Sequence, residues 1–357
     1  MKTGRNLREL LEEVTRQAEG KRDYLAPSRK LSVSTHYDGS FLENATPTGE
    51  PLPIREMAHG QIAERVGIPK AYYDRMKENA PALFDENVNH WLKASDDRRL
   101  IRTLDGNARA FLSSRYRMLD NDDLAAVALP ILMDHGFELV SAEITERKFY
   151  LKATTPRIQA EVKPGDVVQA GVVISNSEVG HGTLKIEPLL YFLVCTNGLV
   201  LPDASLRRQH VGRHLSDFDA EERYFKQETL RTDDAAFWMK VRDVLRGMLE
   251  ESAFPAHMGK VRDAAGQRIE ADPFAVVEVT AKRYRMTESE KRSVLTHFLA
   301  GHNGQSELTR YGLVQAVTRA SQDVEDYDRA TEMEQLGGQI LELPPGQWRN
   351  LSEARGA

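Results

Sequence analysis

The chain of 357 residues has little cysteine and no long apolar run, and each shortage excludes a class of protein. A single cysteine, Cys195, cannot form an intramolecular disulfide or a Cys-rich zinc site. It lies in the apolar run LLYFLVC, which favours a buried strand residue over a reactive thiol. No stretch approaches the ~20 apolar residues of a membrane span, and the charged N-terminal segment lacks the apolar core of a secretory signal. We therefore expect a cytoplasmic protein with no membrane partner.

Short motifs of common enzyme classes are also missing. The sequence contains no GxxxxGK[ST] loop, no GxGxxG after a strand, and no HExxH or CxxC pair. The serine pair Ser113-Ser114 lies outside the GxSxG frame of a hydrolase. We therefore predict no cofactor and no catalytic residue, and a function in binding rather than catalysis.

The composition is that of a globular protein with an acidic balance. Hydrophobic residues make up 41% and charged residues 29%, enough to bury a core. The formal net charge is -6, which counts against a domain built only to hold nucleic acid. A local basic strip can nevertheless be masked by acidic helices elsewhere in the chain.

Helical periodicity marks two parts of the first hundred residues, and between them lies a turn-rich stretch at 20–52, where we expect loops or short strands. Residues 4–19 predict a surface helix, and 54–77 predict two helices, since Gly67 ends the first and Pro69 starts the second. The pair is typical of a helix-turn-helix that contacts DNA through its second helix. The alternative is an αα-corner with four residues buried in the core, namely Ile62, Val66, Tyr72 and Met76.

From residue 99 the pattern changes to strands. Asp105-Gly106-Asn107 marks a hairpin turn, a helix follows at 121–134, and four runs rich in Val, Ile, Phe and Tyr follow with short turns between them. Strands joined by short turns pair antiparallel. We predict an α+β fold: a central curved, mostly antiparallel sheet spanning about 100–200, with helical N-terminal and C-terminal regions. The predicted divisions are a helical or irregular region at 1–97, a sheet core at 98–215, a helical region at 216–343 and a loose tail at 344–357.

The segment from residue 167 to residue 201 resembles the phage- and plasmid-associated family known as DUF932. The resemblance rests on Ser175 to Gly180, Cys195 to Gly198 and His210 to His214. Three flanking segments agree with it, Ala108 to Asp122, Leu308 to Ser321 and Leu336 to Leu341, so it spans most of 99–341. It implies residence on mobile genetic elements, and it supplies no activity and no catalytic residues. A relation to single-strand annealing proteins suits the order of sheet and then helices, as a fold-level analogy.

Two groups of basic residues suggest a nucleic-acid contact. The first surrounds the hairpin and comprises Arg98, Arg99, Arg102, Arg109, Arg115 and Arg117. The second follows the CTNG turn and comprises Arg207, Arg208, His210, Arg213 and His214. Guanidinium groups bind phosphates and nearby rings stack on bases, an arrangement typical of single-strand binding. The alternative is a solvated strand face with ion pairs to Asp96, Asp97 and Asp217.

We select nine residues as predicted nucleic-acid contacts: Arg109, Arg115, Tyr116, Arg117, Arg207, Arg208, His210, Arg213 and His214. The leading hypothesis is a non-enzymatic DNA-binding protein of mobile elements, an oligomer of identical chains that holds or anneals single-stranded DNA. The turns SNSEVGHG and CTNG could cradle an anion through their amides, or could simply supply the positive φ that hairpins need.

Two rival functions remain open on the sequence. His210 and His214 are four residues apart and Asp217 follows, so a metal-dependent nuclease or hydrolase could be built from them. Gly212 between the histidines weakens the helix that would align them, and we predict no metal site. The third possibility is a protein-interaction factor for host takeover, acting through the helical C-terminal part.

Overall fold

The computed structural model describes residues 1–202, 207–208, 227–249, 253–301 and 307–353. Its helices are α1 Leu7–Gly20, α2 Glu56–Arg65, α3 Lys70–Asn79, α4 Pro81–Lys93, α5 Asn121–Asp134, α6 Gln227–Met248, α7 Phe254–Gly266, α8 Pro273–Arg283, α9 Glu288–Ala300, α10 Arg310–Ala320, α11 Tyr327–Leu341 and α12 Pro345–Ser352. Its strands are β1 Lys21–Pro27, β2 Ser32–His36, β3 Gly39–Glu43, β4 Leu52–Pro53, β5 Arg98–Leu104, β6 Asn107–Ser113, β7 Glu138–Ile144, β8 Phe149–Glu161, β9 Val167–Asn176, β10 Leu184–Phe192, β11 Asn197–Val200 and β12 Arg207–Arg208.

The central sheet has the order β11-β10-β9-β8-β7, with β12 also paired to β10, and every pairing is antiparallel. The pairing register shifts within β7–β8 and again between Thr155 and Gln159 of β8. Such irregularities increase strand twist, which accounts for the curl of the sheet. With helices at both ends of the chain, the predicted α+β class and curved antiparallel sheet are confirmed.

Helices cover both faces of this sheet. On one face α1, α5 and α6 pack over a core that includes Leu151, Ile174 and Ile186. On the other, α11 lies against β11 so closely that a Cβ on Gly338 would meet the Val200 carbonyl oxygen at 2.0 Å. The central strands are therefore buried on both sides, which explains their nearly continuous apolar runs.

The predicted single sheet over 100–200 is wrong in one respect. Strands β5 and β6 pair with β1 in a separate sheet of order β1-β5-β6, and β2, β3 and β4 form a third sheet. The hairpin itself is confirmed, with Asp105 and Gly106 at positive φ in its turn. Its partner is β1, one of four strands within or next to the stretch at 20–52 where loops or short strands were expected. Which strand the hairpin would pair with could not be predicted, because pairing depends on contacts distant in sequence.

The helices α2 and α3 confirm the two-helix prediction, with Gly67 at φ +70 between them. Ile62 and Met76 are buried as expected for a corner, but Tyr72 is 45% exposed and Tyr73 is fully buried instead. The Tyr73 hydroxyl forms a hydrogen bond with His59 Nδ1 at 2.8 Å. Tyr73 and Met76, three residues apart, therefore form the buried face of α3, and the prediction for Tyr72 is wrong.

The last helix corrects the expectation of a loose tail after residue 343. In α12, Trp348 and Leu351 are buried against the C-terminal helical core, so residues 345–352 are ordered by apolar packing.

Cys195 also departs from its predicted place: it lies half-buried in the turn between β10 and β11, where burial raises the pKa of its thiol. Within the described ranges, no helix has both the length and the apolar character needed to cross a lipid bilayer.

Candidate nucleic-acid interface

The loop at 177–183, between β9 and β10, is fixed at one end of the central sheet by hydrogen bonds to three other segments. Tyr116 donates its hydroxyl to the Ser177 carbonyl at 2.6 Å, and Gln61 donates to the Val179 carbonyl at 2.6 Å. Ser177 in turn donates its hydroxyl to the Arg147 carbonyl at 2.8 Å. The loop thus joins the β6–α5 connection to the turn between β7 and β8.

Basic residues collect around this loop. The basic rim, as we define it, comprises Arg115, Arg147, Lys148 and Lys185 together with the backbone positions of Arg207 and Arg208. β12 pairs Arg208 with Leu184 and Arg207 with Lys185, at the start of β10. Arg115 precedes Tyr116 and Arg147 accepts from Ser177, so both belong to segments that contact the loop. Lys148 lies beside the loop, since a Cβ on Gly182 would be 3.3 Å from its Cε.

The charges of the rim are not neutralised by the described part of the chain. Among those residues, no carboxylate lies within ion-pair distance of Arg115, Arg147, Lys148 or Lys185. His181 is exposed, yet part of its ring is shielded from water. This partial burial, followed by the cations Lys148 and Arg147, lowers the pKa of the ring. Acidic residues near this end are Glu146, Asp328 and Glu332. A positive surface with an exposed imidazole ring is able to bind phosphates and stack on a base.

Beneath the rim lies a buried ionic network centred on Glu178, which is 3% exposed. Its carboxylate receives Arg109 Nη2 at 2.5 Å, Lys21 Nζ at 3.0 Å and the Asn121 amide at 2.8 Å. Burial alone raises the pKa of Glu178, but the attraction of Arg109, Lys21 and Arg102 outweighs burial, so the pKa lies below its ordinary value. Glu178 is therefore ionised at neutral pH and holds the loop in place.

The same network contains the one group of carboxylates in the described ranges that could hold a metal ion. Oxygens of Asp120, Asp122 and Glu178 all lie within 4.8 Å of one another. Lys21 places its ammonium among them, at 3.4 Å from Asp120 and 2.7 Å from Asp122. Lys21, Arg102 and Arg109 together balance the charge of the three carboxylates, so a divalent ion would have to displace the lysine. The carboxylates thus have a structural role with the protein's own cations.

The four predicted contacts in the first group have four different surroundings. Arg109 is only 9% exposed and forms an ion pair with Glu178. It is therefore not the exposed arginine on a strand face that we expected. Tyr116 is partly buried, packs against a small apolar cluster and uses its hydroxyl to anchor the loop. Arg117 places its guanidinium over the Phe237 ring at 4.8 Å, and Arg115 lies on the rim. The hairpin arginines Arg99 and Arg102 are likewise buried in ion pairs.

The second predicted group is described only in part. The backbone of Arg207 and Arg208 is placed at the rim, while His210, Arg213 and His214 lie outside the described residues, as does Asp217. The rim also contains residues that sequence reasoning missed, Arg147, Lys148 and Lys185. The turn at 145–148 between two strands could have indicated the first two, but its contact with the loop at 177–183 exists only in three dimensions.

Comparison with known proteins gives a family and nothing finer. A family model described as Domain of unknown function (DUF932) matches residues 110–336, which is 227 of the 357 residues and more than half of the chain. No curated protein and no solved structure matches the chain.

Proposed function

Since the chain belongs to the DUF932 family, whose description names no activity, we propose a function from the geometry of the rim: the protein binds single-stranded DNA without cleaving it. The observation that supports this proposal is the convergence of separate basic segments on the loop at 177–183. Arg115, the turn at 147–148 and the strand at 207–208 are distant in sequence and meet at one end of the sheet.

The positive charge of the rim is concentrated in a protein whose net charge is -6. Cations without carboxylate partners attract a polyanion and release its counterions on binding, which makes affinity dependent on salt. The preference for single strands is supported by the exposed His181 ring beside these cations, since an imidazole can stack on an unpaired base. We also propose that several identical chains assemble into an oligomer and that the protein is encoded on mobile genetic elements.

The experiment is a fluorescence-anisotropy titration of labelled single- and double-stranded oligonucleotides at several salt concentrations, with and without magnesium. Two variants test the rim: Arg147→Gln/Lys148→Gln and Arg207→Ala/Arg208→Ala. Each should weaken binding to single strands by at least ~10-fold and reduce the log–log salt slope by roughly 1.4, at ~0.7 for each lost phosphate contact.

The matched control is Lys93→Gln/Arg292→Gln, which also removes two exposed cations but from α4 and α9. It should bind as the unmodified chain does. Equal losses in the control and in the rim variants would mean that only net charge matters, and would refute the rim as the site. Cleavage that requires magnesium would overturn the non-enzymatic part and favour a metal-dependent hydrolase.

A further inference from the structure

A second basic site lies in the C-terminal helical region and shares no lining residue with the rim. It is a shallow pocket of roughly 330 Å³. Three arginines line it, Arg268, Arg310 and Arg349, together with Trp348 and Gln267. A pocket of this volume lies at the lower end of the range of small-molecule sites, ~300–1,000 Å³.

Three chain segments build the pocket. The segment before α8 runs antiparallel to the start of α10, with Arg268 bridged to Thr309 and the Arg310 amide donating to the Gln267 carbonyl at 2.9 Å. The same segment meets the end of α12, where the Ala271 amide donates to the Ser352 carbonyl at 3.2 Å. The segment before α8 is therefore paired through its backbone with α10 and with α12, which fixes the backbone positions of the three arginines.

Arg310 forms the floor of the pocket and is only 6% exposed. Its guanidinium makes four hydrogen bonds, to the Ile340 carbonyl twice, to the Leu343 carbonyl and to the Gln267 side chain. Of its five N–H groups one at Nη1 remains unused. Among the described residues no carboxylate pairs with it, and burial lowers its pKa. A buried cation held only by neutral groups leaves positive potential in the pocket.

The other two arginines add to that potential. Arg268 and Arg349 are exposed, and neither forms an ion pair within the described ranges. Acidic lining comes from Glu270 and Glu353, so three positive and two negative side chains leave the pocket with one net positive charge. Guanidinium forks match the oxygens of a phosphate in a bidentate manner. Pro345 and Trp348 supply an apolar wall beside them.

We propose that this pocket binds a small phosphate monoester. Arg268 and Arg349 grip its phosphate over the positive floor formed by Arg310, and its organic part lies against Trp348 and Pro345. The guanidinium of Arg310 lies over the Trp348 ring, 5.0 Å from its centroid, so the floor and the apolar wall of the pocket are in contact. The site is independent of the proposed DNA binding.

The test is isothermal titration calorimetry of the full chain with adenosine monophosphate, ribose 5-phosphate and inorganic phosphate, with adenosine as the uncharged control. We expect saturable binding of the two monoesters, at least tenfold weaker binding of inorganic phosphate and none of adenosine. The variant Arg268→Gln/Arg349→Gln should weaken monoester binding at least tenfold. It keeps Arg310, whose bonds to α11 are needed for folding.

The variant Arg75→Gln serves as the matched control, because it removes an exposed arginine from α3 and should leave monoester affinity unchanged. Failure of every phosphate to bind, or equal affinity in the double variant, would overturn the site. Inorganic phosphate binding as tightly as the monoesters would overturn recognition of an organic part. The double variant should also bind oligonucleotides normally, which separates this site from the rim.

Discussion

Arg109 donates from Nη2 to the Glu178 carboxylate at 2.5 Å, and this pair joins the β5–β6 hairpin to the loop that supports the basic rim. Both side chains are at least nine-tenths buried, so the pair is shielded from solvent. A residue predicted to bind phosphate from the surface is thus part of the internal framework beneath that surface.

Replacement of Glu178 by Gln should destabilise the fold, because the buried Arg109 would keep its charge beside a neutral partner, while Lys21 would retain Asp120 and Asp122. Removing one member of a buried ion pair typically costs ~3–5 kcal/mol of unfolding free energy. Urea denaturation followed by circular dichroism would measure this as a lower midpoint. As the control, Glu12→Gln in the exposed pair with Arg8 should leave the midpoint where it is. Equal midpoints for Glu178→Gln and the unmodified chain would contradict the role assigned to the network.

Substitution of Gly180 by Ala tests how the loop is held. Gly180 has φ +75, and an added Cβ would meet Leu112 Cδ2 at 2.7 Å. The left-handed conformation alone costs a residue with a Cβ ~1–2 kcal/mol. Gly165→Ala is the matched control, since its φ is +85 and its Cβ would meet nothing within 4 Å. We expect Gly180→Ala to lower stability more than Gly165→Ala, and to weaken oligonucleotide binding where the control does not. A melting temperature for Gly165→Ala below that of Gly180→Ala would refute the close contact between Gly180 and Leu112.

The buried His59 predicts a pH dependence of stability. Burial, followed by the nearby Lys77, lowers the pKa of His59 from 6.5 to about 4. Because the folded state binds the proton less readily than the unfolded state, this stability is complete above pH 6.5 and is lost as the pH falls toward about 4. The loss should reach up to ~3 kcal/mol, at ~1.4 kcal/mol per pKa unit. Urea titrations at several pH values should show a shallower decline for His59→Gln over this window. Parallel curves for the two proteins would exclude His59 as the source.

The second buried ion pair joins β8 to α11. Lys152 Nζ contacts Glu334 Oε2 at 2.6 Å, and both side chains are fully buried. Each single variant, Lys152→Met or Glu334→Leu, leaves an unpaired buried charge and should cost ~3–5 kcal/mol. The double variant removes both charges and should cost clearly less than the sum of the singles. Chemical denaturation of all four proteins measures the coupling, and additive losses would mean that the two charges do not interact.

Much of the fold was determined by the sequence itself. The hairpin at Asp105-Gly106, the break at Gly67-Pro69 and the four strands between 137 and 195 all follow from local periodicity and turn residues, and all are present. These signals are local because backbone conformation and side-chain spacing depend on residues only a few positions apart. The family resemblance over most of 99–341 was also confirmed, by the match at 110–336.

Only the tertiary structure decided where those elements go. Three features each depend on a partner distant in the chain. They are the pairing of β5 with β1 rather than with the central sheet, the burial of Tyr73 in place of Tyr72, and the ion pair between Arg109 and Glu178. The arginine pattern alone could not distinguish an internal cation from an exposed one, since both have the same local sequence character. Whether an arginine faces water or a buried carboxylate is determined by which segments pack over it.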